Sequence, residues 1–359
     1  MKLLFVVSSI AIEGGGASKM LVWVANQFAK DGNDVTIYTH KVQNGPFFHI
    51  EPSIKVVSHT PQDNKCWLYP IPHIRRLIKQ KMPNLVISFM SDSNFYCDVA
   101  KLFTGVPVCI GERSDPAEVE SQPLKFKIAM WLTRLADGAT FQLQQAADYY
   151  TWLKCPKEII PNPVEEAKAQ VEKPFTERED EICCSSRIEF FQKRQDVLIK
   201  AFHLVVQSHP EMKLRLIGNG PSMDEAKSLI NELGLTDKVM LSGQIKDPII
   251  SMVDSKLFVL SSDFEGIPNA LTEAMAAGLP CVSTDVKPGG ARLLIENPKN
   301  GMIVPCNDPK AMADAIIYLL EHPDEADRMG KEAQKITNRF SEKKIYNQWK
   351  IFVSKIAKC

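Results

Sequence analysis

The sequence lacks the cysteine and histidine spacings that build metal sites or disulfide frameworks. Its nine cysteines are scattered without a C-x-x-C pair, and no histidine-rich ligand spacing accompanies them, so neither a zinc site nor a disulfide scaffold is indicated. Cysteines without a disulfide pattern are typical of a reducing compartment, so we predict a cytoplasmic protein. No apolar run is long enough to cross a bilayer, so no transmembrane helix is predicted.

An excess of charge of either sign is also missing. The chain has 43 Lys and Arg against 43 Asp and Glu, a formal net charge of zero, and nothing in that balance requires a nucleic-acid partner. Internal repeats and low-complexity segments are absent as well. The 359 residues are too many for one ordinary core and suit two domains of about 150 to 200 residues each.

Short β-rich runs alternate with amphipathic helical patterns along the whole chain. Stretches such as "SKMLVWVANQFAKDG" and "QDVLIKAFHLVVQSHP" place apolar residues at i, i+3, i+4 and i+7 and end in Gly or Pro. The predicted strands lie in "KLLFVVSS", "DVTIYTH", "NLVISFM", "PVCIGE", "DGATFQ", "EICCSSR", "KLRLIGNG", "KVMLSG", "KLFVLSS" and "PCVSTD". This alternation indicates an α/β protein with doubly wound parallel sheets.

A stretch rich in Pro and charge, "IIPNPVEEAKAQVEKPFTERED", separates the two series of strands and is predicted to link two domains. We expect an N-terminal Rossmann-like domain over residues 1–165, a C-terminal one over residues 166–340, and a terminal amphipathic helix over residues 341–359 that packs back on the first domain. Ligands of such sheets bind where the strands end. The working site is therefore expected in a cleft between the domains.

Two carboxylates flank a predicted helix start in "DFEGIPNALTEAMAAGLP". Glu265 precedes the helix in a Gly-Pro loop, Pro268 suits the first turn, and Glu273 lies off the apolar stripe inside the helix. The backbone N–H groups of Ile267 to Ala270 would point out of the helix start, which is a ready anion site. Both glutamates are also compatible with ordinary acids near a positive helix end.

The same stretch closely resembles the signature of family-4 glycosyltransferases, through the pattern E-G-x-P-x-x-x-x-E-A-M-A-x-G-x-P. These are retaining, nucleotide-sugar-dependent enzymes of the GT-B architecture, in which two Rossmann-like domains face each other across a cleft. The resemblance implies a hexosyltransferase that uses a nucleotide-sugar donor, predicted to be UDP-linked, and no separate cofactor. The implied acceptor is a glycan or a lipid-linked saccharide, in polysaccharide or glycoconjugate biosynthesis.

Further landmarks follow in the family's order. "CCSSRIEFFQKRQDVLIKAF" is similar to its strand, Arg, short loop, Lys and helix, which implies that Arg187 and Lys193 bind the diphosphate. The loop is one residue longer than usual, so Arg194 competes with Lys193 for this role. The resemblance also implies donor-site or phosphate-loop positions elsewhere, namely Gly218, Gly243, Gly266, Ile267, Pro268, Asn269, Ala270, Gly15 and Gly16.

The first domain departs from the family pattern at one loop. Many members carry a histidine after the fourth strand, whereas this sequence reads "GERSDP" there. The local candidates for contact with the acceptor are therefore Glu112, Arg113 and Asp115.

The resemblance implies one role for the cations, which stabilise phosphate charge, and another for the glutamates, which bind hydroxyls. Departure of the nucleotide leaves negative charge on the diphosphate, which Arg187, Lys193 and the helix N–H groups would stabilise. No Asp-x-Asp motif occurs, so a metal-independent reaction is expected. Glu265 would hold hydroxyls of the donor sugar and Glu273 those of the ribose. A double displacement through an enzyme carboxylate stays open.

Two other functions remain open on sequence alone. An NAD-dependent oxidoreductase would need a G-x-G-x-x-G loop, and "GGGASK" does not supply one. A non-catalytic carbohydrate-binding protein of the same fold is the second alternative. The acid-free basic stretches "PHIRRLIKQKMP" and "PLKFKIAMWLTRL" suit peripheral contact with an anionic membrane face, and equally a solvated helix surface.

Overall fold

The computed structural model describes residues 1–10, 15–41, 48–59, 67–113 and 124–357, without the side chains of residues 15, 124–126 and 128. The chain divides into two compact units. The first comprises Met1–Asn162 together with Lys343–Cys359, and the second comprises Pro163–Glu342. The terminal segment therefore belongs to the first unit.

The first unit is built on a seven-stranded sheet in which the paired strands run parallel, in the order β3-β2-β1-β4-β5-β6-β7. The strands are β1 (Lys2–Val7), β2 (Asp34–Thr39), β3 (Lys55–Ser58), β4 (Leu85–Phe89), β5 (Val108–Glu112), β6 (Gly138–Phe141) and β7 (Lys157–Ile159). Helices α1 (Gly15–Lys30), α2 (Pro70–Lys81), α3 (Ser91–Ala100), α4 (Leu124–Leu132) and α5 (Gln144–Tyr149) lie between them. A 3₁₀ turn, Thr133–Leu135, follows α4.

The second unit repeats this plan with a six-stranded parallel sheet in the order β10-β9-β8-β11-β12-β13. Its strands are β8 (Glu179–Ser185), β9 (Lys213–Ile217), β10 (Val239–Leu241), β11 (Ser255–Leu260), β12 (Cys281–Thr284) and β13 (Met302–Val304). Its helices are α6 (Gln195–Ser208), α7 (Met223–Glu232), α8 (Pro248–Met252), α9 (Asn269–Ala277), α10 (Gly290–Leu294), α11 (Pro309–Glu321), α12 (Pro323–Gln334) and α13 (Ile336–Arg339). A 3₁₀ turn, Phe175–Glu177, precedes β8.

Both sheets reverse their winding direction once, between β1 and β4 in the first unit and between β8 and β11 in the second. The central strands are apolar because helices cover both faces; every residue of β4 and of β5 is buried. The predicted α/β class with doubly wound parallel sheets is confirmed. Loops that follow β8 and β11 leave the sheet at the switch point, where ligands of this fold class bind.

The terminal helix α14 (Glu342–Ile356) packs against the first unit. Trp349 is fully buried with its ring centroid 5.8 Å from that of Phe89. Lys350 Nζ lies 2.7 Å from Asp31 Oδ2. Ile351, which the sequence pattern offers for packing, is 64% exposed instead, because it falls on the opposite side of the helix from Trp349 and Phe352.

Replacement of Trp349 by alanine should destabilise the first unit by about 3 to 5 kcal/mol, since a large buried ring leaves a cavity. Urea unfolding followed by circular dichroism measures the change. Ile351→Ala, in the same helix, is the matched control and should change the unfolding free energy by less than about 1 kcal/mol. Equal losses in the two variants would contradict the packing described here.

Candidate functional site

Two loops of the second unit bring together residues that are far apart in sequence. Lys193, after β8, and Glu265, after β11, form an ion pair with 2.5 Å between Nζ and Oε1, and their side chains are only 18% and 14% exposed. Ser262 Oγ donates to the same carboxylate oxygen at 2.9 Å. A lysine and a glutamate that the sequence assigns to neighbouring parts of one ligand thus lie in direct contact.

Hydrogen bonds to backbone carbonyl groups hold these two loops in register. Ser261 Oγ donates to Lys193 O at 2.8 Å, and Asp263 N donates to Gln192 O at 2.9 Å. On the other side, Glu265 N donates to Lys287 O at 2.8 Å. Glu265 is therefore fixed between the loop after β8 and the loop after β12.

Arg194, the competitor of Lys193, is engaged by other side chains. Its guanidinium pairs with both carboxylate oxygens of Asp196, at 3.0 and 3.1 Å, and with Asp263 Oδ2 at 2.7 Å. Asn307 Oδ1 accepts a further hydrogen bond at 2.8 Å. The fork of Arg194 is satisfied by several protein groups, whereas the ammonium group of Lys193 contacts Glu265.

Arg187 presents its charge to solvent. Its side chain is 60% exposed, and Glu189 Oε2 lies 3.6 Å from one of its guanidinium nitrogens. The backbone around it is held by Gln195, which is fully buried. Gln195 Nε2 donates to Arg187 O at 2.8 Å and to Ser186 Oγ at 2.7 Å, while its Oε1 accepts from Glu189 N at 3.1 Å.

Gln195 is a buried residue beside the candidate site that the sequence analysis missed. It occupies the apolar stripe of α6, three and four residues before the buried Leu198 and Ile199. An amide on the buried face of a helix must be hydrogen-bonded, and this signal would have marked it.

The glycines of the neighbouring loops are required by close packing. A Cβ at Gly218 would lie 2.0 Å from Ser186 O, and one at Gly220 would lie 2.1 Å from Ile188 O. Gly218 N also donates to Gly243 O at 2.8 Å. These contacts account for a glycine at position 218 through its packing against the loop that carries Arg187, and no ligand contact is needed to explain it.

Helix α9 begins one residue later than predicted. Pro268 has an extended backbone and serves as the N-cap, so it lies outside the first turn. Thr272 N makes the first intrahelical bond, to Pro268 O at 3.0 Å. The N–H groups of Asn269, Ala270 and Leu271 consequently have no helical acceptor.

The rest of α9 agrees with the sequence analysis. Gly278 ends the helix in the left-handed conformation, with φ 91°. Glu273 lies on the exposed side, whereas Leu271, Ala274 and Met275 are buried. Ahead of the helix, a Cβ on Gly290 would lie 1.7 Å from Gly266 O, so the backbone of the Gly266 and Ile267 turn rests against the start of α10.

Comparison with known proteins decides the family. Residues 165–336 match the family described as Glycosyl transferases group 1, and residues 14–168 match Glycosyltransferase Family 4. The two matches are contiguous along the chain. The chain belongs to this family of glycosyltransferases.

Relatives cover most of its length. An uncharacterized glycosyltransferase of Methanocaldococcus jannaschii is 25% identical over 83% of this chain and 87% of its own. A Campylobacter jejuni alpha-1,4-N-acetyl-D-galactosaminyltransferase, named for a PP-undecaprenol-linked glycan, is 23% identical over 99% of both chains.

Solved structures share the fold. The lipopolysaccharide outer core galactosyltransferase WaaB has a TM-score of 0.80 at 18% identity and covers 99% of this chain and 100% of its own. Anabaena HepE, in complex with UDP and glucose, has a TM-score of 0.78 at 20% identity with the same coverage. The predicted GT-B fold and the predicted enzyme class are confirmed.

The first unit of the glycosyltransferase holds a buried carboxyl group where β5 ends. Glu112 is 2% exposed, Asn94 Nδ2 donates to its Oε1 at 2.7 Å, and Ser91 Oγ donates to its Oε2 at 3.3 Å. Burial outweighs these hydrogen bonds and a further one with Tyr150, and it raises the pKa of Glu112 from 4.5 to about 7. Glu112 is therefore partly protonated at neutral pH.

Arg113, next in the chain, is held in a structural position. Its Nη1 donates to Ile160 O at 2.8 Å, and its guanidinium lies 4.7 Å from the ring centroid of Phe89 and 5.5 Å from that of Trp349. These contacts tie β5 to the end of β7 and to the terminal helix. They favour a role for Arg113 in packing rather than in binding an acceptor.

The other site residues predicted for the first unit are Asp115, Gly15 and Gly16. Asp115 lies outside the described residues. Gly15 and Gly16 form the first residues of α1, at the carboxyl end of β1. Among the described residues, no group of three or more His, Cys, Asp or Glu is arranged to hold a metal ion, and no helix is long and apolar enough to span a membrane.

The raised pKa of Glu112 should make the free energy of unfolding depend on pH. Because the folded state favours the protonated acid, the free energy of unfolding should fall as pH rises from 4.5 to about 7. Glu112→Gln removes this loss, so the variant should gain stability over the natural protein between about pH 5 and pH 8, by about 3 kcal/mol at most.

Urea unfolding of the two proteins across that pH range measures the difference. Glu158→Gln, on the half-exposed strand β7, is the control. A Glu112→Gln curve that runs parallel to that of the natural protein would show that Glu112 titrates normally.

Proposed function

We propose that this glycosyltransferase moves a hexose or N-acetylhexosamine from a UDP-sugar to a glycan or lipid-linked saccharide, with retention of configuration and without a metal ion. The observation that supports the proposal is the Lys193–Glu265 pair, which lies beside a helix start at the switch point of the second sheet. A cation and a carboxylate at this place suit a ligand that combines a diphosphate with sugar hydroxyls.

The diphosphate would be bound by three groups. Arg187 offers an exposed guanidinium that can make a forked pair with phosphate oxygens. Lys193 adds a point charge, and the N–H groups of Asn269 and Ala270 lie at the start of α9. Charge that develops on the leaving nucleotide is thereby stabilised by groups already in place.

The donor sugar would replace Lys193 as the partner of Glu265. The carboxylate is held by Ser262 Oγ and by its own backbone bond to Lys287, so it can accept hydrogen bonds from sugar hydroxyls without reorienting. Glu273, the fifth residue of α9 and exposed, would accept hydrogen bonds from hydroxyls of the ribose. The remaining donor-side contacts are backbone groups of the turn from Gly266 to Pro268.

Retention follows from attack of the acceptor on the face that the nucleotide leaves, with the departing phosphate taking the proton. Glu265 then acts as a sugar ligand and needs no nucleophilic role. A double displacement through Glu265 is the alternative mechanism, and it would need the same release of the carboxylate from Lys193.

The relatives support the proposed substrates. One solved relative binds UDP with glucose, and another relative is named for a PP-undecaprenol-linked glycan. Family membership decides against the NAD-dependent oxidoreductase. A cytoplasmic enzyme with peripheral contact at the inner membrane face fits a lipid-linked acceptor, and the last turn of α2 offers Lys79 and Lys81 for it.

Donor binding and turnover should be independent of divalent metal. Arg187 and Lys193 supply the positive charge that a metal would otherwise provide, so UDP affinity and UDP-sugar hydrolysis should be unchanged when EDTA is added. Calorimetric UDP binding and released UDP are the measurements. Complete loss that only Mg²⁺ or Mn²⁺ restores would overturn the metal-free mechanism.

Substitutions of Glu265 and Glu273 should differ in their effect on UDP affinity. Glu273→Ala should weaken free UDP by about 1 to 3 kcal/mol, because a desolvated ribose hydroxyl loses its acceptor. Glu265→Ala should leave UDP binding equal or tighter, since Lys193 is released for the phosphate, while turnover of the sugar donor falls.

Glu225→Ala, on the exposed side of α7, is the matched control and should change neither measurement. Calorimetry gives the UDP affinity and released UDP gives the turnover. Equal weakening of UDP in the Glu265 and Glu273 variants would contradict the assigned roles.

A further inference from the structure

The first unit carries an exposed aromatic ring at the edge where its strands end. Trp67 is 46% exposed, although its ring stacks on Phe95 with 5.4 Å between centroids and 19° between planes. Phe95 and Tyr96 beneath it are 5% and 7% exposed. A parallel stack covers one face of the indole, so the exposed area of Trp67 belongs to its other face and its edge.

Polar groups lie near the two aromatic residues beneath this ring. Asp92 and Phe95 are three residues apart on α3 and therefore neighbours on one side of the helix. The side chain of Asp92 is 30% exposed, and its Oδ2 lies 3.8 Å from His40 Nε2. Tyr96 links the two parts, with its ring centroid 6.3 Å from Trp67 and 5.2 Å from His40.

Asp92 has no lysine or arginine partner within the part of the chain that the structure describes. Burial lowers the pKa of His40 and outweighs the opposing charge of Asp92, so the imidazole is neutral at neutral pH. Ser93 N donates to Asp92 Oδ1 at 2.7 Å, and Ser93 Oγ lies 3.0 Å from His40 Nε2. The second carboxylate oxygen of Asp92 thus keeps capacity to accept hydrogen bonds.

The position in the fold is one where ligands bind. His40 directly follows β2, and Asp92 lies in the first turn of α3, three residues after the end of β4. Strands β2, β1 and β4 are neighbours, and the sheet reverses its winding between β1 and β4. The ring and its polar border therefore lie at the carboxyl edge of the sheet, beside its switch point.

We propose that Trp67, with Asp92 at its border, is a shelf that binds one pyranose ring of the acceptor saccharide. A pyranose has an apolar C–H face that packs on an aromatic ring and a rim of hydroxyls that donate to a carboxylate, and the shelf offers both surfaces side by side. The rigid stack on Phe95 limits the ordering that binding requires. This inference rests on the proposed function and assigns its acceptor side.

The test uses the full chain and a panel of simple probes, the methyl α- and β-pyranosides of glucose, galactose, N-acetylglucosamine and N-acetylgalactosamine. Binding is followed by saturation-transfer NMR and calorimetry. The variants are Trp67→Ala, Trp67→Phe and Asp92→Asn. Trp131→Ala is the matched control, since Trp131 is 49% exposed in the same unit but precedes β6 at the opposite edge.

At least one pyranoside should bind the natural protein, and its affinity should fall by about tenfold or more in Trp67→Ala, because the stacking surface is lost. Asp92→Asn should weaken the same probe, Trp67→Phe should retain part of the affinity, and Trp131→Ala should retain all of it. With that probe as acceptor, KM should rise while UDP-sugar hydrolysis and UDP affinity stay unchanged.

Undiminished pyranoside binding in Trp67→Ala would overturn the proposal, as would binding of tetramethylammonium instead of any pyranoside, which would make the shelf a cation site. Unchanged thermal unfolding and UDP affinity show that the variants are folded. UDP affinity also separates the two proposals: a natural protein that binds pyranosides and not UDP contradicts the donor assignment alone.

Discussion

The contact between Lys193 and Glu265 is the interaction on which the proposed donor site depends. It joins loops that leave neighbouring strands at the switch point, and both side chains are largely removed from water. The desolvation cost of such a pair can exceed its own electrostatic attraction. Ser262 offsets part of that cost for the carboxylate. A ligand that has both a phosphate and hydroxyls can bind Lys193 through the phosphate and Glu265 through the hydroxyls. Ligand binding is therefore a physical reason for burying these two charges despite the cost.

The surrounding residues hold this pair in one geometry. Arg194 takes up the charge of Asp196 and Asp263, so these acids do not compete for Lys193. Gln195 fixes the backbone at Arg187. Gly218, in the loop after β9, has no side chain and can therefore lie close to the carbonyl group of Ser186. Three carboxylates and two cations are thereby sorted into two groups, Arg194 with Asp196 and Asp263, and Lys193 with Glu265. Sequence spacing alone left Lys193 and Arg194 as alternatives, because the choice depends on contacts with residues about 70 positions away.

The sequence predicts those parts of the fold that rest on local pattern. Strands buried on both faces, such as β4 and β5, read as continuous apolar runs and were predicted. Strands β3, β7 and β13 were missed, since they are three or four residues long and lie at sheet edges, where exposure interrupts the apolar pattern. Arg113 shows a different limit: its burial against Trp349 joins segments more than 200 residues apart, and no local pattern records such a contact.

The carboxyl edges of the two sheets use polar residues in different ways. In the second unit the edge presents charge, with Arg187 exposed and Lys193 poised beside a helix start. In the first unit the edge keeps two titratable groups neutral, because Glu112 is buried with a raised pKa and His40 is buried with a lowered one, while Asp92 is a partly exposed carboxylate. Removal from water favours the neutral form of both groups. An edge that offers an aromatic ring and a carboxylate suits the C–H face and the hydroxyls of an uncharged sugar, whereas a cationic edge suits a diphosphate. One doubly wound plan can therefore serve two chemically different ligands, because the sheet fixes only where the polar groups lie and burial decides their charge.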